Sequence, residues 1–165
     1  MNSFLDETDW LILSELQKDG RASHAALGKK VGLTGPSVYS RIQKMEREKI
    51  IKGYSVHLNS EKIGQGLLAF IRVGTYASSA ADEQDAFEGY VRDEPRILEC
   101  HDVDGEDSYL LKVRTDSLES LRNLLAEIRG ISSVSRTVSS INMVTVKESG
   151  LNSPVILQNR DERKT

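Results

Sequence analysis

Cysteine occurs once in these 165 residues, at Cys100, which excludes an internal disulfide framework and fits a reducing compartment. Histidine is nearly as scarce, with three scattered copies, so a zinc site would have to rely on carboxylates. No apolar run approaches the roughly 20 residues needed to cross a bilayer. The opening Met-Asn-Ser-Phe-Leu-Asp-Glu lacks the basic start and apolar stretch of a signal peptide, so the expected location is cytoplasmic. Also missing are a nucleophile motif, a phosphate-binding glycine loop and a pair of catalytic histidines. No cofactor is implied, and an enzyme is not expected. The acidic run Asp102-Val-Asp104-Gly105-Glu106-Asp107 fails as an EF-hand. Counted from Asp102, glycine falls at four rather than six, and Val113 stands where the twelfth-position Glu belongs.

What is present is an ordinary globular composition, 38% hydrophobic and 28% charged, long enough for one medium domain or two small ones. The net charge of −3 hides an asymmetry. Residues 1–62 carry ten Lys/Arg against eight Asp/Glu, whereas 63–165 carry twelve against seventeen. Between 21 and 52 there are eight basic residues and only Glu46 and Glu48 as acids. A basic block inside an acidic chain suits a polyanion, although a solvated helix surface would show the same excess.

Three short helices account for most of that block. Residues 6–19 repeat Leu5, Ile12, Leu13 and Leu16 at helical spacing, with Asp6 as cap, Asp9 in the first turn and Asp19-Gly20 as the stop, Gly20 being left-handed. Ser23 caps a second helix over 24–31, closed by Gly32. Thr34 caps a third, with Pro36 in its first turn and Val38, Ile42 and Met45 facing inward. Residues 50–58 alternate and predict a strand, which makes the unit a winged type. Two helices joined by a glycine-containing turn form a helix-turn-helix pattern, in which the later one enters the major groove. Thr34, Gly35, Ser37, Tyr39, Ser40, Arg41, Gln43, Lys44 and Arg47 are its candidate DNA-binding residues, since hydroxyls, amides and cations reach base edges and phosphates. Arg41 could equally brace the helix against its neighbours, and a plain three-helix bundle with a polar face gives the same periodicity.

Beyond residue 60 the pattern changes to strands at 67–75, 96–103, 109–114 and 134–147, with helices over 82–93 and from Asp116, the latter with an Asp116/Glu119 capping box. This order, βαββαβ, predicts a ferredoxin-like unit and an α+β chain overall. In the first strand both faces are apolar, with Leu68 and Phe70 on one and Ala69, Ile71 and Val73 read as outward. A sheet covered by helices on one side then needs a partner on the other, and a symmetric dimer supplies it. Cys100 is read as a small core residue, on the opposite face from His101. The expected divisions are 1–60 for the helix-turn-helix and its linker strand, 61–148 for the second domain, and a polar tail at 149–165.

The pieces together resemble the Lrp/AsnC (feast/famine) family of transcription regulators. The resemblance lies in Leu5-Asp6-x-x-Asp9-x-x-Ile12-Leu13, Leu16-Gln17-x-Asp19-Gly20-Arg21, Val31-Gly32-Leu33, Arg41-Ile42, Met45-Glu46 and Ile50-Ile51-x-Gly53-Tyr54. It continues in Gly105-Glu106-x-x-Tyr109-Leu110-Leu111-Lys112-Val113. It implies double-stranded DNA as partner, a dimer that often assembles further into a tetramer or octamer, and a small effector, commonly an amino acid. The implied effector residues are Asp102, Asp104, Gly105, Glu106, Asp107, Ser108 and Tyr109 of the hairpin, joined by Thr137 and Ser139 of the last strand. An ammonium needs acceptors and a carboxylate needs donors, and the hairpin offers both. One departure stands out. Many members carry Asp immediately before the aromatic residue, where this chain has Ser108. An architectural DNA binder whose second domain only oligomerises is the alternative reading, and an acidic hairpin can also be an ordinary turn.

Overall fold

Two carboxylates open the first helix by bonding to each other's backbone. In the computed structural model, which describes residues 5–76 and 81–148, Asp9 N donates to Asp6 Oδ1 (2.8 Å) and Asp6 N to Asp9 Oδ2 (3.1 Å). This reciprocal cap starts α1, Glu7–Lys18, and satisfies donors that a helix end otherwise leaves open. Asp19, in an extended conformation, ends α1, and its carboxylate accepts from Arg21 N at 2.9 Å. Gly20 does not take the left-handed conformation expected of it, because the side chain of Asp19 already holds the turn.

Ser23 caps α2, His24–Val31, and Gly32 closes it at φ +72°. Thr34 caps α3, Gly35–Arg47, with Pro36 in the first turn. Ile12, Leu27, Val38, Ile42 and Met45 are the buried core of this unit. After α3 the chain turns through Lys49 at φ +58°, which lets the amides of Ile50 and Ile51 both reach Met45 O.

The strand expected over 50–58 is not formed, so the first unit is three helices without a wing. Alternation gives that segment one apolar face, but a strand also needs a ladder partner, and its Tyr54, Val56 and Leu58 stand exposed.

The chain divides into two compact units at His57/Leu58, the second running to Val146. In the second, β1 (Leu67–Thr75), α4 (Ala81–Asp93), β2 (Ile97–Asp102), β3 (Tyr109–Thr115), α5 (Leu118–Arg129) and β4 (Val134–Ile141) follow in that order. They form an antiparallel sheet, β2-β3-β1-β4. This is the βαββαβ arrangement. Ala69, Ile71, Val73, Leu111 and Val113 pack with Phe87, Leu121, Leu124 and Ile128 from the two helices. Ala69, Ile71 and Val73 therefore point inward, the reverse of their expected direction. Strand parity puts Leu68 and Phe70 on the open side, where Phe70 pairs with Lys112 and Ser140.

Two further corrections concern α5 and β4. Ser117, not Asp116, caps α5: its Oγ accepts from Ser120 N at 3.1 Å, while Asp116 accepts from the Ser117 hydroxyl. Strand β4 stops at Ile141 instead of 147, and Asn142 N closes it onto Leu68 O (2.9 Å). Cys100 packs against the core and His101 is exposed. The expected tail at 149–165 lies outside the described residues. Among those residues no helix is long and apolar enough to cross a membrane, and no group of three His, Cys, Asp or Glu is placed to hold a metal ion.

Candidate functional site

Helix α3 is divided by its own pitch. Val38, Ile42 and Met45 fill the core, leaving Ser37, Tyr39, Ser40, Gln43, Lys44 and Arg47 at or near the surface. At its start Thr34 Oγ1 accepts from Ser37 N (3.4 Å) and lies 2.9 Å from Ser37 Oγ. Ser40 Oγ donates to Pro36 O at 3.1 Å. Gly35 sits over α2, where a Cβ would meet Ala25 N at 3.4 Å. Tyr39 rests on the His24 ring, with centroids 5.3 Å apart. Gln43 donates to Glu46, and Arg47 lies 3.7 Å from Glu48.

Arg41 differs from the rest of the candidate set. Its Nη1 donates to Asp6 Oδ2 (2.6 Å) and Asp9 Oδ1 (2.7 Å), and the Asp9 side chain is nearly buried. The same carboxylates that cap α1 thus tie it to α3. The guanidinium beside it lowers the Asp6 carboxyl below its ordinary range, while Asp9 first and Asp6 second raise Arg41. Arg41 braces α3 against the start of α1, and its charge is committed within the fold.

Gly28 was absent from the sequence-based candidates. A Cβ there would lie 2.4 Å from Leu33 O, so only glycine lets the α2–α3 turn close this tightly. Single glycines inside helical patterns carry no distinctive signal, which is why the sequence did not single it out.

The hairpin between β2 and β3 is held at both ends, by Val103 N to Ser108 O (3.0 Å) and by Ser108 N to Val73 O (2.8 Å). Gly105 turns it at φ +132°. The Ser108 hydroxyl lies 2.7 Å from Thr75 Oγ1 and accepts from Thr75 N (3.2 Å), so it joins the loop to the end of β1. Asp107 and Glu106 are engaged by Arg136, whose Nη2 donates to Asp107 Oδ1 at 2.9 Å and to Glu106 Oε2 at 3.4 Å. Arg72 Nε stands 3.7 Å from Asp107 Oδ2. Arg136 reaches across β1 because residue 74 is glycine; a Cβ there would be 3.0 Å from its Cγ. Asp102 and Asp104 are exposed.

The other effector candidates are dispersed. Tyr109 is a core residue, packed against Phe87 with the rings tilted and their centroids 4.7 Å apart, and donating its hydroxyl to Glu88. Burial first, and then that bond, push its phenol up to about 12. Thr137 and Ser139 pair with Val73 and Ile71, so they share the helix-covered side of the sheet, whereas Arg136 pairs with Gly74 on the open side. Thr137 Oγ1 accepts from Arg129 Nε at 2.7 Å. Arg72, Gly74 and Arg136 escaped the sequence reading. The visible signal was Gly74, a glycine inside a strand, which marks a close approach.

A helix-turn-helix with a polar, cationic outer face, followed by a ferredoxin-like unit with an ion-paired hairpin, is the two-part build of a DNA-binding regulator. Family models match both: an AsnC-type helix-turn-helix domain at residues 5–46 and an Lrp/AsnC ligand binding domain at 68–151. The chain belongs to the Lrp/AsnC family of transcription regulators. It is 38% identical over 146 residues to the leucine-responsive regulatory proteins of Salmonella typhimurium and Escherichia coli, covering 88% of each chain. Similar solved structures include two that hold an amino acid. One is a transcriptional regulator of Neisseria meningitidis in complex with L-methionine, with TM-score 0.82, 30% identity, and coverage of 87% of this chain and 93% of that one. The other is a feast or famine regulatory protein of M. tuberculosis, also complexed with L-methionine, with TM-score 0.80, 33% identity, and coverage of 91% and 99%.

Proposed function

We propose that this transcription regulator binds its operator as a dimer, through α3, and that a free amino acid bound at the β2–β3 hairpin alters its assembly or its DNA binding. The division of α3 carries the first half. Its inner residues are spent on the core and Arg41 on bracing, while Ser37, Tyr39, Ser40, Gln43, Lys44 and Arg47 stand exposed on the outer face. The amides of the cap residue Thr34 and of Gly35, at the N-terminus of α3, suit a phosphate. A dimer would place two such helices in successive major grooves, so the operator is a pseudo-palindrome with half-sites about one helical turn apart or a multiple of it.

The second half is supported by the relatives solved with L-methionine and by the Asp107–Arg136 pair. A zwitterion can exchange partners with an ion pair, offering its ammonium to Asp107 and its carboxylate to Arg136. Asp102, Asp104 and Glu106 supply further acceptors, and the amides around Gly105 with Ser108 supply donors. A thermal-shift screen of the twenty amino acids is the direct test, since a ligand that binds only the folded chain raises the midpoint. Calorimetry should then show weaker binding by Asp107→Ala, with operator affinity of the free protein unchanged. If no amino acid moves the midpoint, the second unit oligomerises without sensing, and the protein is architectural.

A further inference from the structure

Gln43 is not a free side chain. Its Nε2 donates to Glu46 Oε2 at 2.9 Å, and the other oxygen of the same carboxylate, Oε1, accepts from the Tyr54 hydroxyl, also at 2.9 Å. Tyr54 lies seven residues beyond the end of α3, and its ring is laid against the end of α1, with Cδ1 4.0 Å from where a Gly20 Cβ would be. Burial, and then the bond to Glu46, push its phenol up to about 12, so it stays a donor throughout the physiological range.

A carboxylate can only accept. An amide facing another amide or a hydroxyl can flip between two orientations, but an amide facing Glu46 must point its nitrogen there. One N–H of Gln43 is therefore consumed, and what remains for a ligand is a fixed pair, the carbonyl oxygen and the second N–H. That pair matches the N6 donor and N7 acceptor that adenine presents in the major groove, and it does not match guanine, which presents two acceptors.

Resting on the reading of α3 as the DNA-contacting helix, we infer that Gln43 reads an adenine in each half-site, and that Glu46 and Tyr54 are positioning residues that fix its amide. Tyr54 belongs to the segment that leads out of the helix-turn-helix. Base discrimination is accordingly tied to the conformation of that segment, not to α3 alone.

The test selects duplexes from a random-sequence library with the full-length protein and four variants, then compares binding to the selected duplex with its A·T→G·C change at each position. Gln43→Ala should abolish the preference at one base pair per half-site, a loss of roughly ten-fold or more. Tyr54→Phe and Glu46→Gln should each reduce the preference at that same pair by about three- to ten-fold. Glu46→Gln also removes a negative charge and tightens all DNA binding, which is why the readout is a ratio between two duplexes. The slope of affinity against salt should be unchanged in Tyr54→Phe, which touches no phosphate. Glu46→Asp, an acceptor with a shorter reach, should restore part of the ratio that Glu46→Gln loses. Unchanged ratios in both Tyr54→Phe and Glu46→Gln, or a uniform loss across all positions with a lowered thermal midpoint, would overturn the inference while leaving the reading of α3 as the DNA-contacting helix in place. Failure of the wild type to enrich any sequence would instead remove the underlying reading of α3, and this inference with it.

Discussion

Two residues on the helix-turn-helix that carry like charge do different work, and substitution separates them. Arg41→Ala leaves Asp9, 5% exposed, without its charged partner, and should cost roughly 1–3 kcal/mol of folding stability in a denaturant titration. Lys44→Ala should leave that titration unmoved and lower the slope of log affinity against log salt by about one, as expected for a lost phosphate contact. The carboxylates of α1 predict the acid limb. The hydrogen bond from Lys18 first, and that from Lys30 next, hold Glu15 down from 4.5 to about 2, and Arg41 lowers Asp6. Their folded values lie below the unfolded ones, so their stabilisation is complete above the ordinary carboxylate range and is lost as pH falls through the folded values. Acid unfolding followed by circular dichroism should be shallower in Asp6→Asn than in the wild type. At Gly28 the added methyl of Gly28→Ala collides with backbone, not with a movable side chain, and should cost about 1–3 kcal/mol.

At the scale of elements, caps and periodicity were legible, and partners were not. Asp6 with Asp9, Ser23, Gly32 and Thr34 each act at the helix ends where their chemistry placed them, because a cap is a contact within four residues. The start of α5 shows the limit. Asp116 and Ser117 are both good capping residues, and only the extended backbone of Ser117 decides between them. Ser117→Ala should therefore cost about 1 kcal/mol in thermal or chemical unfolding, and Asp116→Ala clearly less. Residues 50–58 fail for a different reason: alternation specifies which side chains share a face but not whether a neighbouring strand exists. The candidate site divided along the same line. Outward positions of α3 follow from helical pitch, whereas Arg136 over Gly74 and Arg72 at Asp107 join residues far apart in sequence, and Tyr54 meets Glu46 only because the chain turns back after α3. Tyr109, implied as an effector residue, packs in the core, since strand parity cannot say which face the helices cover.

At the scale of the molecule, the sheet has one face packed under its helices and one open face. Phe70, 37% exposed, lies on the open face, and Ile71, fully buried, on the other. If a second copy covers the open face, Phe70→Asp should yield a folded monomer by light scattering at micromolar concentration, while Ile71→Asp should not fold. A wild-type monomer under the same conditions would contradict the dimer. The tight α2–α3 turn also bears on how such a regulator changes its operator over evolutionary time. With no volume to spare between residue 28 and the carbonyl of Leu33, the crossing of the two helices behaves as a fixed hinge pin. Descendants of this chain can swap the letters displayed along the outside of the recognition helix, one position at a time. They cannot tilt that helix into a new approach to the groove without first rebuilding the corner, so its binding sites should drift in sequence while keeping one docking angle.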